Sequence, residues 1–231
     1  MQNLRKCVVI FSGGQDSTTL AGWAQKTFDE VVLLSFDYGQ RHRVELEQGR
    51  IIAKKLGLKL VVVRVDCLRE VADSALFASS EENLANAHSG NEALPASFVP
   101  NRNALFLTLA HSFAQKVGAE HLAIGVSQED NSGYPDCSLD FIQAMQKALN
   151  IGAGQEVQIH TPLMHMDKAR EFELAKELGV LEIVLEDSHT CYEGVREVAH
   201  AWGYGCGECK ACVLRKRAYE KFEENLQRGE K

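Results

Sequence analysis

The residues able to do chemistry fall into two groups. The first is Ser12-Gly13-Gly14-Gln15-Asp16-Ser17, which follows the apolar run Cys7–Phe11 and precedes apolar residues at helical spacing. Glycines let successive backbone N–H groups face an oxyanion, and a helix N-terminus adds its positive end. A strand, glycine turn and helix in this order therefore predict a phosphate site. Ser12, Ser17 and Thr18 add hydroxyl donors. Asp16 is out of place beside phosphate unless Mg²⁺ lies between them; a carboxylate plus nucleotide phosphates is the usual way Mg²⁺ is held. Neither the Walker A nor the Rossmann glycine pattern is present. The bland alternative is a plain turn between strand and helix.

The second group is cysteine. Of seven, Cys7, Cys67 and Cys137 are isolated, whereas Cys191, Cys206, Cys209 and Cys212 share one C-terminal stretch. Cys206-Gly-Glu-Cys209-Lys-Ala-Cys212 leaves two residues between successive thiols, and glycines at 203, 205 and 207 free the backbone to aim them at one point. Four thiolates at about 2.3 Å around Zn²⁺ make a closed structural site. A redox pair or an iron–sulfur cluster is the competing assignment, though no Cys-Pro follows the run. An odd cysteine total in a chain without a recognisable signal sequence speaks against a disulfide framework and for the cytosol.

Both groups need elements to position them. Cys7–Ser12, Val31–Asp37, Lys59–Val65 and His121–Gly125 read as buried strands, with Val157–Ile159 a short fifth. Helical spacing covers Ser17–Phe28, Val44–Leu56, Arg102–Val117, Leu139–Leu149, Lys168–Leu178 and Val213–Leu226. Gly57 and Gly179 serve as stops, and Asp167 as an N-cap. Strands alternating with helices predict a parallel α/β sheet with right-handed crossovers. Between Leu68 and Ser97 the pattern fades into small polar residues, which predicts a surface loop or lid.

Composition narrows the rest. Twenty-five Lys and Arg against 32 Asp and Glu give a net charge of −7, weak grounds for a surface that coats nucleic acid. The basic stretches Arg41–Arg43 and Lys210–Arg217 read as solvated helix faces. No apolar run approaches the ~18 residues of a membrane span. At 45% hydrophobic, 231 residues suffice for one sizeable core.

The glycine turn resembles the SGGxDS signature of the PP-loop ATP pyrophosphatases. The resemblance extends along nearly the whole chain. FSGGQDSTT (11–19), FDYGQRH (36–42), FVPNRN (98–103), FLTLA (106–110), SGYPDC (132–137), TPL (161–163), DKA (167–169), TCY (190–192) and the final CGxCxxC occur in the order found in the QueC (ExsB) family of 7-cyano-7-deazaguanine synthases. The resemblance implies a five-stranded parallel, Rossmann-like sheet of the adenine nucleotide alpha hydrolase type, with helices on both faces. Residues 1–185 would form the ATP-binding domain, with a lid at about 68–98. Residues 186–231 would form a small zinc-binding region.

The implied activity is an ATP-dependent carbon–nitrogen ligation. 7-Carboxy-7-deazaguanine and ammonia become 7-cyano-7-deazaguanine (preQ0), a queuosine precursor, through adenylated intermediates. ATP with Mg²⁺ is the cosubstrate, one structural zinc the cofactor, and a cytoplasmic homodimer the expected state, with no nucleic-acid or membrane partner. Ammonia itself is the expected nitrogen donor, since 231 residues leave no room for a glutaminase domain beside a PP-loop domain.

Residue by residue, the resemblance assigns ATP binding to Ile10, Phe11, Ser12, Gly13, Gly14, Gln15, Asp16, Ser17, Thr18, Thr19 and Leu20. Ser35, Phe36 and Asp37 at the end of the second strand would hold adenine and ribose. Asp16, Arg102 and Lys168 are the implied catalytic residues, the last two as phosphate cations or as ordinary helix-start ion pairs. Phe98, Tyr134 and Asp136 would bind the deazaguanine. Tyr134 would stack and Asp136 would accept from the guanine-like edge, unless Asp136 simply caps the helix through Leu149. Cys191, Cys206, Cys209 and Cys212 would hold the metal. Glu193–Tyr204 is longer than the family's spacing, which leaves His189 or His200 as an alternative to Cys191. Two other functions compete. A tRNA-modifying PP-loop enzyme would be retained on tRNA at moderate salt, and a regulatory ATP-binding module would bind nucleotide without turnover.

Overall fold

In the computed structural model of the chain, the described residues are 5–40, 43–77, 87–88, 91–128 and 134–229. Strand β1 spans Lys6–Ile10. Side chains alternate across a strand, and in β1 both directions are apolar. Val8 enters one hydrophobic layer while Cys7 and Val9 enter the other, all without exposure. A strand covered on both faces belongs inside a parallel sheet, and β1 has parallel neighbours on both sides.

The chain continues through α1 (Gln15–Thr27), β2 (Glu30–Asp37), α2 (Val44–Leu56), β3 (Lys59–Arg64) and the short α3 (Leu68–Val71). A small antiparallel pair, β4 (Ala87–His88) and β5 (Asn91–Pro95), precedes α4 (Arg102–Val117) and β6 (His121–Ala123). A 3₁₀ turn at Pro135–Cys137 leads into α5 (Leu139–Ala153), then β7 (Gln158–His160), α6 (Lys168–Glu177) and α7 (Leu181–Glu186). A second pair, β8 (Ala199–His200) and β9 (Gly203–Tyr204), precedes the last helix, α8 (Lys210–Gly229).

The main sheet has the order β3-β2-β1-β6-β7, all parallel. Leu20 and Ala24 of α1 and Ile52 of α2 cover one face; Phe106, Leu107 and Ala110 of α4 and Ile142 of α5 cover the other. From β1 the chain steps outward through β2 to β3, then returns to the opposite side of β1 with β6. Strand order thus reverses between β1 and β6. The crevice beyond their carboxyl ends is where an open parallel sheet takes its ligand. The turn Ser12–Asp16 sits there.

All five expected strands and six expected helices form; Val44–Leu56 and Arg102–Val117 keep their expected ends, and the others shift. Gly57 and Gly179 adopt left-handed φ of 68° and 75°, and Asp167 accepts from Arg170 N at 2.8 Å. The last helix begins at Lys210 rather than Val213, so Cys212 lies in its first turn. The stretch expected to be a surface lid departs further. Residues 78–86 and 89–90 lie outside the described residues, but both flanks enter the interior. Ala75, Phe77, Ala96 and Val99 are all at most 3% exposed. Ala75 N donates to Ala96 O at 2.9 Å, tying the flanks together. Small residues such as Ala75 and Ala96 carry little apolar signal, which is why burial was not legible there. No helix among the described residues is long and apolar enough to cross a membrane.

Candidate active site and cysteine cluster

Helix α1 starts at Gln15 with Gly14 as N-cap, and no side chain caps it. Its first N–H groups are among those an α-helix leaves without internal partners, and Gly14, Gln15, Asp16 and Ser17 all line a cleft of about 380 Å³. The turn is fixed from within. Ser17 Oγ accepts from Gly13 N at 3.1 Å and Ser12 N at 3.3 Å, and Thr18 Oγ1 donates to Gly14 O at 2.8 Å. These hydroxyls, expected to meet phosphate, therefore spend hydrogen bonds on the turn itself. Gly13 has φ +87°, and a Cβ there would sit 2.7 Å from Glu45 O, so α2 packs against a position only glycine tolerates. Gln15 is 3% exposed and its Nε2 has no hydrogen-bond partner among the described residues, a donor available to a ligand.

Lys168, at the first position of α6, reaches across to Asp16. Its Nζ lies 2.7 Å from Asp16 Oδ2 and 3.2 Å from Glu171 Oε1. Burial works to raise the Asp16 carboxyl, but Lys168, a hydrogen bond from Glu171 and the more distant Arg215 together outweigh it and hold it below the usual carboxylate range. Glu171 has no exposure; burial, then the Asp16 charge, pushes it well above that range. The Lys168 side chain thus sits between one acid held low and another pushed high.

The cleft's other half is aromatic. Phe36 stacks on Phe106 with centroids 4.2 Å apart, and Tyr38 and Tyr134 complete the wall. Arg102 enters here from the first position of α4, directly after Asn101, whose φ is a left-handed 58°. Asp136 Oδ2 accepts from Asn103 N at 3.0 Å, stabilising that start. The helix that was the alternative role for Asp136, α5, is capped by Ser138 instead, whose Oγ accepts from Phe141 N at 3.3 Å. Glu45 faces Arg102 across the cleft, and burial, opposed by Arg102, raises its carboxyl to about 7.

Of the residues singled out in the sequence, Ile10, Phe11, Ser12, Gly14, Gln15, Asp16, Ser17, Phe36, Arg102, Tyr134 and Lys168 line the cleft together. Gly13, Thr18, Thr19, Leu20, Ser35, Asp37, Phe98 and Asp136 do not. Leu20 enters the core; Ser35 Oγ donates to Phe11 O; Asp37 pairs with Arg43 at 2.7 Å; Phe98 packs beside the Tyr134 ring. Tyr38, Glu45, Asn103, Thr190 and Arg215 also line the cleft and went unassigned. Their only signal was membership of, or proximity to, the blocks FDYGQRH, FVPNRN, TCY and CGxCxxC. The expectation of a solvated basic face over 210–217 fails at Arg215, which is 3% exposed. Arg41, His42, Ser132 and Gly133 lie outside the described residues.

The four C-terminal thiols converge, with all Sγ atoms within 4.8 Å of one another. Cys206 and Cys212 Sγ are 3.8 Å apart, matching the edge of about 3.8 Å of a tetrahedron with ~2.3 Å metal–sulfur bonds. Backbone N–H groups of Cys209 (3.3 Å) and Glu208 (3.4 Å) donate to Cys206 Sγ, and Cys206 N donates to Cys191 Sγ at 3.4 Å. The long spacer folds into the β8–β9 pair. His200 stacks on Trp202 and bonds Gly205 O, while His189 bonds Cys191 O; Cys191 is the fourth member of the cluster.

The family model described as "Queuosine biosynthesis protein QueC" matches residues 6–223. A 7-cyano-7-deazaguanine synthase of Helicobacter pylori (strain Shi470) is 55% identical over 219 residues, covering 95% of this chain and 97% of that protein. The synthase of Wolinella succinogenes is 51% identical, covering 95% and 94%. A 4-thiouridine synthetase solved with RNA and ATP shares the fold, at 17% identity and a TM-score of 0.51 over 95% of this chain and 51% of that one. With a PP-loop turn at the switch point of its sheet and four converging thiols, the chain belongs to the QueC family of queuosine biosynthesis proteins.

Proposed function

We propose that this chain converts 7-carboxy-7-deazaguanine and ammonia to 7-cyano-7-deazaguanine at the expense of ATP. The observation that carries this reading is the uncapped start of α1 opening, beside the Asp16–Lys168 pair, into a cleft whose far wall is aromatic. Triphosphate fits the N–H groups of Gly14–Ser17; a flat heterocycle fits between Tyr38, Phe106 and Tyr134, with Arg102 beside its carboxylate.

A carboxylate has a poor leaving group. Its oxygen attacks the α-phosphorus of ATP, pyrophosphate leaves, and an acyl adenylate forms. Ammonia adds to the acyl carbon, AMP leaves, a proton is lost, and an amide remains. A second adenylation, at the amide oxygen, again releases pyrophosphate; loss of AMP and of both N–H protons then leaves the nitrile. What the protein supplies is position and charge. Lys168 is held within reach of the phosphates by Asp16 and Glu171. Mg²⁺, held by Asp16 together with the phosphates, would neutralise the leaving pyrophosphate. Zinc suits the four thiols as a closed structural site, and assigning 186–231 as its own region rests on that cluster. Net charge −7, free cysteines and the absence of a spanning helix among the described residues support small-molecule substrates and a cytoplasmic setting; a homodimer rests on the resemblance alone.

Mass spectrometry of the purified protein with ATP, Mg²⁺, ammonium and 7-carboxy-7-deazaguanine tests the assignment. Mass shifts to the amide and then the nitrile are expected. Folded, metal-loaded protein that yields neither overturns it.

A further inference from the structure

Arg215 lies on α8, one turn after Cys212. Its guanidinium is buried and makes four hydrogen bonds, all to neutral groups. Nε donates to Trp202 O at 2.8 Å, Nη1 to Ser188 Oγ at 2.9 Å and Thr190 Oγ1 at 3.3 Å, and Nη2 to Val184 O at 2.7 Å. Among the described residues no carboxylate lies within ion-pair distance of it. A buried cation without a counter-ion is expensive, and an apolar side chain would fill the space at less cost. The side chain nevertheless remains charged: burial lowers it only to about 10, opposed by the field of Asp16. It also lines the nucleotide cleft together with Thr190, on the wall formed by the C-terminal region.

The surroundings are built around it. Gly203 has φ +116°, and a Cβ there would meet Arg215 Nη2 at 2.6 Å and Leu185 O at 2.8 Å, so the hairpin closes only with glycine at that point. The segment that Arg215 grips also grips the phosphate turn, because His189 N donates to Gly13 O at 3.0 Å. One cation thus spans the cysteine cluster's hairpin, the 188–190 segment and the cleft.

We propose that Arg215 is a phosphate-binding residue of the nucleotide site, delivered by the cysteine-bearing C-terminal unit, with the triphosphate as its missing counter-ion. This rests on the reading that the cleft binds ATP. It makes the cysteine cluster part of the ATP site's construction rather than a remote staple.

The test compares wild type, Arg215→Lys and Arg215→Met by calorimetric titration with Mg·ATP and, separately, with adenosine. Circular dichroism and metal content per chain are checked first. For Arg215→Met, ATP affinity is expected to fall at least 30-fold while adenosine affinity stays within twofold. Arg215→Lys, which keeps the charge but not the fork, should lose about fivefold for ATP and nothing for adenosine. Equal losses for both ligands, or ATP affinity within twofold of wild type, overturn the proposal. Should Arg215→Met not fold, Arg215→Lys decides by the same criterion. Wild type that does not bind ATP at all removes the underlying reading of the cleft as well, and the wild-type titration identifies that outcome separately.

Discussion

Replacing Glu45 by glutamine should stabilise the ligand-free protein above neutral pH and do little below pH 5. Burial in the cleft raises the Glu45 carboxyl from the usual 4.5 to about 7, even with Arg102 opposing. The folded state therefore binds a proton that the unfolded chain releases. Such a group contributes stability below pH 4.5 and loses it as pH rises to about 7. Beyond that the native state carries a charge it would rather not hold. The interval corresponds to roughly 3 kcal/mol; because Glu45 keeps some solvent contact, about 2 kcal/mol is the expected observable. With a urea m-value of about 2 kcal/mol/M for a chain this size, the midpoint of Glu45→Gln should lie about 1 M above wild type at pH 8, and the difference should shrink to roughly a quarter of that at pH 5. Urea unfolding followed by circular dichroism at pH 5, 6, 7 and 8 measures this. Glu171 is also raised but is present in both proteins, so the difference isolates Glu45. A midpoint difference that does not change with pH would refute the reasoning.

Three further outcomes follow from the same geometry. Lys168→Met removes the cation at 2.7 Å from Asp16 and should lower pyrophosphate release by about 100-fold with the fold retained; a loss under fivefold would show that Lys168 is a helix-start ion pair only. Cys191→Ser breaks the thiol set and should prevent metal uptake there, read by mass spectrometry of metals, and lower Tm by about 10 °C; metal content equal to wild type in this variant would hand the fourth position to another ligand. Asp136→Ala frees the Asn103 N–H and should cost about 1–2 kcal/mol of stability; unchanged stability with a raised KM for the deazaguanine acid would make Asp136 a substrate contact instead.

Much of this molecule was legible in its sequence because the signals are local. The apolar, β-branched run Cys7–Ser12 read as a buried strand, alternating strands and helices predicted a parallel sheet, and Gly57, Gly179 and Asp167 marked helix ends by conformational rules that act within a few residues. The spacing of Cys206, Cys209 and Cys212 likewise announced a shared point. Choosing Cys191 over His189 or His200 needed the folded hairpin, since that choice depends on how the spacer closes. The partners of charged residues were also beyond sequence. Lys168 meets Asp16 across 152 positions of chain, Asp136 caps α4 rather than the helix next to it, and Arg215, in a stretch that reads as a solvated basic face, is buried against the phosphate turn's neighbours. Charge carries no periodic signature of burial; only packing between distant segments decides whether a cation faces water or a cleft.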